Sequence, residues 1–135
     1  MIFMNKLVEL LEKQKGFERG KGATDIQIKN AEEALYLKFS EEYRSYLREF
    51  GNASYYGHIL TGIAAFPAID VVSVTESNRA YNNNIPSDFY VIEELHIDGV
   101  VIWQASDGAI YQTLPNASPF KICDSFFQYI QVSKV

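Results

Sequence analysis

Two histidines, His58 and His96, and one cysteine, Cys123, are the residues best equipped for nucleophilic or metal chemistry. A nucleophile needs a His or Lys set against a Ser, Cys or Thr, and neither histidine sits in such a motif. No Gly-x-Ser-x-Gly elbow, phosphate-cradling loop or dinucleotide glycine pattern occurs in the chain. Glu94 and His96 are two apart, which on a strand places both on one face. As half of a metal site they would need two further donors, and no nearby motif signals them. Glu93, Glu94 and Asp98 could form a general acid and base set, although carboxylates at strand spacing also arise without function. Cys123, beside Ile122, reads as a small buried hydrophobe rather than a reactive thiol. The expectation is a protein that is not an enzyme and that uses no cofactor and no metal.

Binding chemistry is better represented. The net charge of −5 is unevenly placed: residues 1–50 hold nine Lys/Arg and nine Asp/Glu, whereas residues 51–135 hold three against eight. An acidic field of this kind repels phosphate backbones, so no nucleic acid is expected as a partner. It attracts a cationic protein and speeds the encounter at low salt; scattered solubility charges would give the same composition. Trp103, flanked by polar residues on its strand face, has the composition of a protein-binding hot spot, unless a helix or loop covers it as ordinary core. The candidate contact residues are Asp70, Glu76, Glu93, Glu94, Asp98, Trp103 and Asp107, with Tyr55 and Tyr56 as possible edges of the same surface.

The elements that must position these residues follow from periodicity. Leu7, Leu10 and Leu11 form one helical stripe. Thr24 and Gln27 predict a capping box ahead of Ile28, Ala31 and Leu35. Ser40 caps a third helix, whose Tyr43, Tyr46, Leu47 and Phe50 fall on one face before Gly51 stops it. Tyr55 to Phe66 predicts one or two strands. Asp70 caps a helix with Val71, Val74, Asn78 and Tyr81 inward. From Tyr90 to Leu114, three β-rich segments are separated by Asp98-Gly99 and Asp107-Gly108, which suit two-residue type I′ turns. That register pairs Leu95 with Ile102 and Gln104 with Tyr111. It makes Leu95, Ile97, Val100, Ile102 and Tyr111 the core face, leaving Glu94, His96, Val101, Trp103, Ala105, Ile110 and Gln112 on a mixed outer face. Phe120–Cys123 predicts a further strand, and Ser125 caps a closing helix through Phe126, Phe127 and Ile130.

Helices, then a meander, then one closing helix is the order of a known family. Three pieces carry the likeness: Ala31–Leu35 with Phe39–Leu47 and the Phe50-Gly51-Asn52 turn; the Asp107-Gly108 hairpin; and Ile122–Ile130. Over residues 24–132 the chain resembles the SUKH superfamily, named for yeast cell-wall regulators and common among bacterial immunity proteins. It departs from the family pattern at Phe39-Ser40, where Leu-Pro is usual, and at Gly51-Asn52-Ala53, where Asn-Gly-Gly is usual. The resemblance implies a single α+β domain over residues 1–135, with an antiparallel sheet (a three-stranded meander plus one or two further strands) packed with four to five helices. It also implies a non-catalytic protein-binding role: an immunity protein that docks on a cognate toxin, plausibly a basic nuclease, or a regulatory module unconnected with toxins. With no leader motif or apolar run long enough to span a bilayer, the expected location is the cytoplasm, with no membrane partner. An open strand edge would allow a homodimer.

Overall fold

Four of the helices begin where a short polar side chain accepts a free backbone N–H. The computed structural model describes residues 2–133. Thr24 caps α2 (Asp25–Leu35), and Gln27 returns the bond to Thr24 N, completing the predicted capping box. Ser40 caps α3 (Glu41–Phe50), Asp70 caps α4 (Val71–Tyr81) and Ser125 caps α5 (Phe126–Val132). Ahead of them, α1 (Ile2–Glu12) buries Leu7 and Leu11 completely and packs on α3 and α5. Burying each such leucine is worth about 1.5–3 kcal/mol.

The strands form two antiparallel sheets. The smaller joins β1 (Glu18–Arg19), β2 (Ala53–Tyr55) and β3 (His58–Ile59) in chain order. The larger runs β4 (Tyr90–Glu94), β5 (Val101–Gln104), β6 (Ile110–Thr113) and β7 (Phe120–Cys123). The predicted meander and its extra strand are therefore present, and the architecture is α+β. The segment after β3 covers the β4 edge, where Thr61 N donates to Ile92 O at 2.9 Å and Leu60 bridges Glu93.

The register of the meander differs from the predicted one at both turns. Asp98 and Gly99 do adopt positive φ (53° and 71°), and Val100 N closes the turn on Ile97 O. His96 also takes positive φ (57°), however, so Leu95 N bonds Val100 O and Glu94 pairs with Val101. The strand ends two residues earlier than alternation suggested, leaving Ile97 65% exposed. At the second turn the loop has three residues, Ser106 to Gly108: Ala105 N bonds Ala109 O, and Gly108 takes the left-handed position (φ 101°). This is the other common hairpin for a sequence with Gly in third place. The one-residue difference exchanges faces. Trp103 pairs with Tyr111 and Gln104 with Ile110, so Ile110 joins Ile102 in the main core and Tyr111 moves to the outer face.

The outer face is itself buried. Val91, Val101, Trp103 and Ala105 form a second apolar cluster with Val74 of α4 and Phe89. The inner stripe of α4 is Val71, Val74, Thr75 and Asn78, because Thr75 Oγ1 takes Val91 N at 3.0 Å; Tyr81, the last helical residue, stands 83% exposed rather than inward. On the inner face, Tyr43, Tyr46, Tyr90 and Phe126 pack edge-on or tilted, with centroids 4.9–6.1 Å apart. A third crossing brings backbone directly against backbone. Gly51 N caps α3 on Leu47 O at φ 72°, and Ile63 N bonds Gly51 O. A Cβ on Gly62 would overlap Gly51 O, and one on Gly51 would overlap Lys21 O. Beside this seam lies an open cleft of about 750 Å³, walled by Lys21, Asn52 and Phe66.

Candidate functional site

The chemistry-bearing side chains collect in two buried clusters and one surface pocket. In the first cluster, β4 places Glu93 inward, where the carboxylate accepts from His58 Nδ1 at 2.8 Å and from the Tyr129 hydroxyl of α5. His58 stacks on Tyr55 with ring centroids 4.7 Å apart, and its Nε2 makes no hydrogen bond among the described residues. Burial pushes the Glu93 carboxyl up, against the lowering pull of Tyr129 and His58. Burial likewise pushes the Tyr55 phenol up to about 12 and Tyr129, facing the Glu93 charge, higher still. In the second cluster, Glu42 accepts from Phe126 N and Phe127 N, both at 2.9 Å, and from Gln104 Nε2 at 3.1 Å. Its carboxyl too is raised by burial, and the three donors oppose that shift. Gln104 Oε1 in turn takes Tyr90 Oη and Ser40 Oγ.

In both clusters the carboxylate is shut away from solvent. His58 and Glu93 are the histidine and carboxylate that do meet, yet their side chains are 10% and 2% exposed. His96 lies in the turn before Asp98, exposed and off the strand, so it shares no face with Glu94. Among the described residues no three His, Cys, Asp or Glu side chains gather closely enough to hold a metal ion.

Two of the expected contact residues are interior. Trp103 is 1% exposed beneath α4, with its indole N–H donating to Thr113 Oγ1 at 2.9 Å; it is core, and not an exposed hot spot. Glu93 is also 1% exposed, because the bulge in β4 turns it towards His58. The remaining acids are spread out. Asp70 is half-buried as the α4 cap, Glu76 is exposed on α4, and Asp98 and Asp107 sit in hairpins at opposite ends of β5. Glu94 is half-buried against Asn78 Nδ2 at 2.9 Å. Tyr55 and Tyr56 lie on the smaller sheet and the turn beyond it, away from Trp103.

Glu94 and Asp98 do share a region with features that periodicity alone does not reveal. The end of α4, the Asp98-Gly99 turn and the Leu114–Asn116 turn enclose a pocket of about 280 Å³ whose walls include Asn78, Tyr81, Trp103 and Asn116. Asn82 Nδ2 ties the helix end to Ala117 O at 2.9 Å, and Pro115 packs against Gly99. Tyr81 and Leu114 on its walls are exposed, at 83% and 43%, as is Ile97 in the Asp98-Gly99 turn, at 65%. From residue 80 to residue 120 the chain has five acids and no Lys or Arg. Of these acids Glu94 and Asp98 lie at this end of β5, Asp88 and Asp107 lie at the other, and Glu93 is buried.

No helix among the described residues is long and apolar enough to cross a membrane. A search of the curated proteins found no match to this chain. The family model SUKH_5, described as SMI1-KNR4 cell-wall, matches residues 4–131. That span takes in every strand and reaches from the first helix into the last, the same order of elements seen in the fold. The chain belongs to the SUKH family of SMI1-KNR4 type.

Proposed function

We propose that this chain is a non-catalytic protein-binding domain of the immunity type, which neutralises a basic toxin domain by docking on it. The observation that carries this is the 41-residue stretch from 80 to 120, which has five acids, of which Glu93 is buried, and no Lys or Arg. It ends in a surface where Tyr81, Ile97 and Leu114 stand exposed beside Asp98 and Glu94. Apolar anchors within an anionic rim are what a cationic protein surface would select, and the charge would also steer the encounter. Family membership supports a binding role, since the family is generally non-catalytic. The proposed contacts are Glu94 and Asp98, with Glu76, Asp70 and Asp107 as more distant contributors to the field; cytoplasmic action, a single working domain and the absence of a nucleic-acid partner belong to the same proposal.

The test is capture with the tagged chain from lysate of its own cells, washed at low and then high salt. The expected result is one dominant basic protein released by salt, which kills a host cell when expressed alone and spares it when this chain is co-expressed. A captured protein without toxicity would instead favour a regulatory interaction module, the second reading, which the cell-wall description of the family model supports. No partner at either salt would remove both readings of the acidic face.

A further inference from the structure

We infer that Asp98-Gly99 is a modification site at which the folded chain converts spontaneously to isoaspartate, and that Asp107-Gly108, the same dipeptide, is protected by its hairpin. The inference stands apart from the binding role proposed above.

The chemistry needs only the chain and water. The Gly99 nitrogen attacks the protonated side-chain carboxyl of Asp98 at Cγ. A C–N bond forms, and the amide proton and the carboxyl hydroxyl leave together as water, which closes a succinimide ring. A second water then opens the ring. Opening at Cγ restores aspartate. Opening at the main-chain carbonyl breaks that carbon's bond to the Gly99 nitrogen, so the backbone now runs through Cβ and Cγ and the former main-chain carboxyl is free. Water is lost once and gained once, and the count of carboxylates is unchanged. Glycine favours the attack because it carries no Cβ to crowd its nitrogen.

The two dipeptides share this sequence chemistry, and three observations separate them. Asp98 and Gly99 are both exposed, whereas Gly108 is buried beside an exposed Asp107. Among the described residues the Gly99 N–H has no acceptor, whereas the Gly108 N–H donates to Ala105 O at 2.8 Å, so the attacking nitrogen is tied down. The Asp98 carboxylate likewise has no partner among the described residues, whereas Asp107 Oδ1 accepts from Ala109 N at 3.0 Å. Gln104 Nε2, donating to Gly108 O at 2.9 Å, fixes the second hairpin further. Attack at Asp107 must first break bonds that attack at Asp98 never meets.

The product would not fit the first turn. Isoaspartate adds one carbon to a main chain whose loop is closed by Val100 N on Ile97 O at 3.0 Å and by Leu95 N on Val100 O at 3.1 Å. Gly99 also lies against Pro115 and would be displaced from it.

The experiment keeps intact protein for weeks in warm neutral buffer, beside a second sample held unfolded in urea. Chymotrypsin then cuts after Trp103, which puts the two dipeptides in separate peptides. Isoaspartate in each is read by chromatographic separation of the equal-mass forms and by methyl transfer to the freed carboxyl with a purified isoaspartate methyltransferase. In the folded protein isoaspartate at 98 should exceed that at 107 by about tenfold or more, since two hydrogen bonds must break at the second hairpin. In urea the two sites should form it at similar rates. Equal amounts in the folded protein, an excess at 107, or none at 98 when the urea sample forms it, each overturn the inference. No isoaspartate at either site in urea overturns it as well. Because no partner enters the readout, failure of the binding role leaves this result unchanged.

Discussion

Glu42 and Glu93 are both buried carboxylates whose pKa is raised by desolvation, yet their surroundings differ in kind. Glu42 is held near the Ser106–Gly108 hairpin by two backbone N–H groups at the start of α5 and by one side-chain amide. None of those donors titrates, and the two backbone N–H groups cannot turn away. Glu93, where the segment after β3 meets β4, is held by an imidazole and a phenol, which can change tautomer, rotate and exchange donor for acceptor. A fixed cradle makes its occupant irreplaceable. An adjustable one tolerates change and costs less to disturb.

The sharpest way to break this comparison is to replace each carboxylate by its amide. Glu42→Gln turns an NH2 group towards N–H donors that have no other acceptor, so about 2–4 kcal/mol of stability should be lost in urea unfolding. Glu93→Gln offers an NH2 that the Tyr129 oxygen or a re-tautomerised His58 can accept, and about 1 kcal/mol is expected. Equal losses would mean that the two cradles do not differ in the way argued. Between these two falls a neutral case on the outer face. Thr113→Val removes the acceptor of the Trp103 indole N–H and leaves a buried donor unpaired, costing about 1–3 kcal/mol; a loss below about 0.5 kcal/mol would show that the indole finds another partner.

Acidity sharpens the same contrast. A carboxyl raised in the folded state binds its proton more tightly there than in the unfolded chain, whose value is near 4.5. Its favourable contribution is present below that unfolded value and is lost as pH rises through the folded one. Wild type measured against Glu42→Gln should therefore gain relative stability as pH falls from about 7 to about 5, at a slope no steeper than about 1.4 kcal/mol per pH unit. A relative loss over that window would reverse the sign of the burial effect at Glu42. The smallest change is expected outside both cradles. Arg48→Ala removes an exposed pairing with Asp25 at 2.9 Å and should stay within about 0.5 kcal/mol in thermal or urea unfolding.

Local rules made much of the fold legible. Thr24, Ser40, Asp70 and Ser125 each cap the helix expected of them, because a cap depends on residues within one turn. The hairpin register was not legible, since Asp-Gly serves a two-residue loop and Gly serves the third position of a three-residue one. That single ambiguity decided whether Trp103 lay opposite Gln112 or Tyr111, and which of Ile110 and Tyr111 faced the core. The short β1 was missed because two polar residues, Glu18 and Arg19, carry no alternation to detect. Glu42 was legible only as a charge at the start of α3; its bonds to Phe126 and Phe127 cross more than 80 residues of chain. The pocket's asparagines escaped notice because Asn78, Asn82 and Asn116 meet only after α4 has packed on the sheet.

The backbone-to-backbone crossing of residues 21, 51 and 62 has a consequence for anyone surveying variants of this chain wholesale. Gly51 and Gly62 should reject even alanine, since the smallest added carbon overlaps a neighbouring carbonyl oxygen. The exposed side chains of Phe66 and Lys21, on the wall of the cleft, should accept many substitutions. A survey scored by abundance would then draw a cluster of forbidden positions beside a cleft of about 750 Å³, the very pattern of a ligand site. Its origin would be two backbones touching. Sorting the forbidden positions into glycines and residues with side chains would separate a seam in the scaffold from a surface selected for binding.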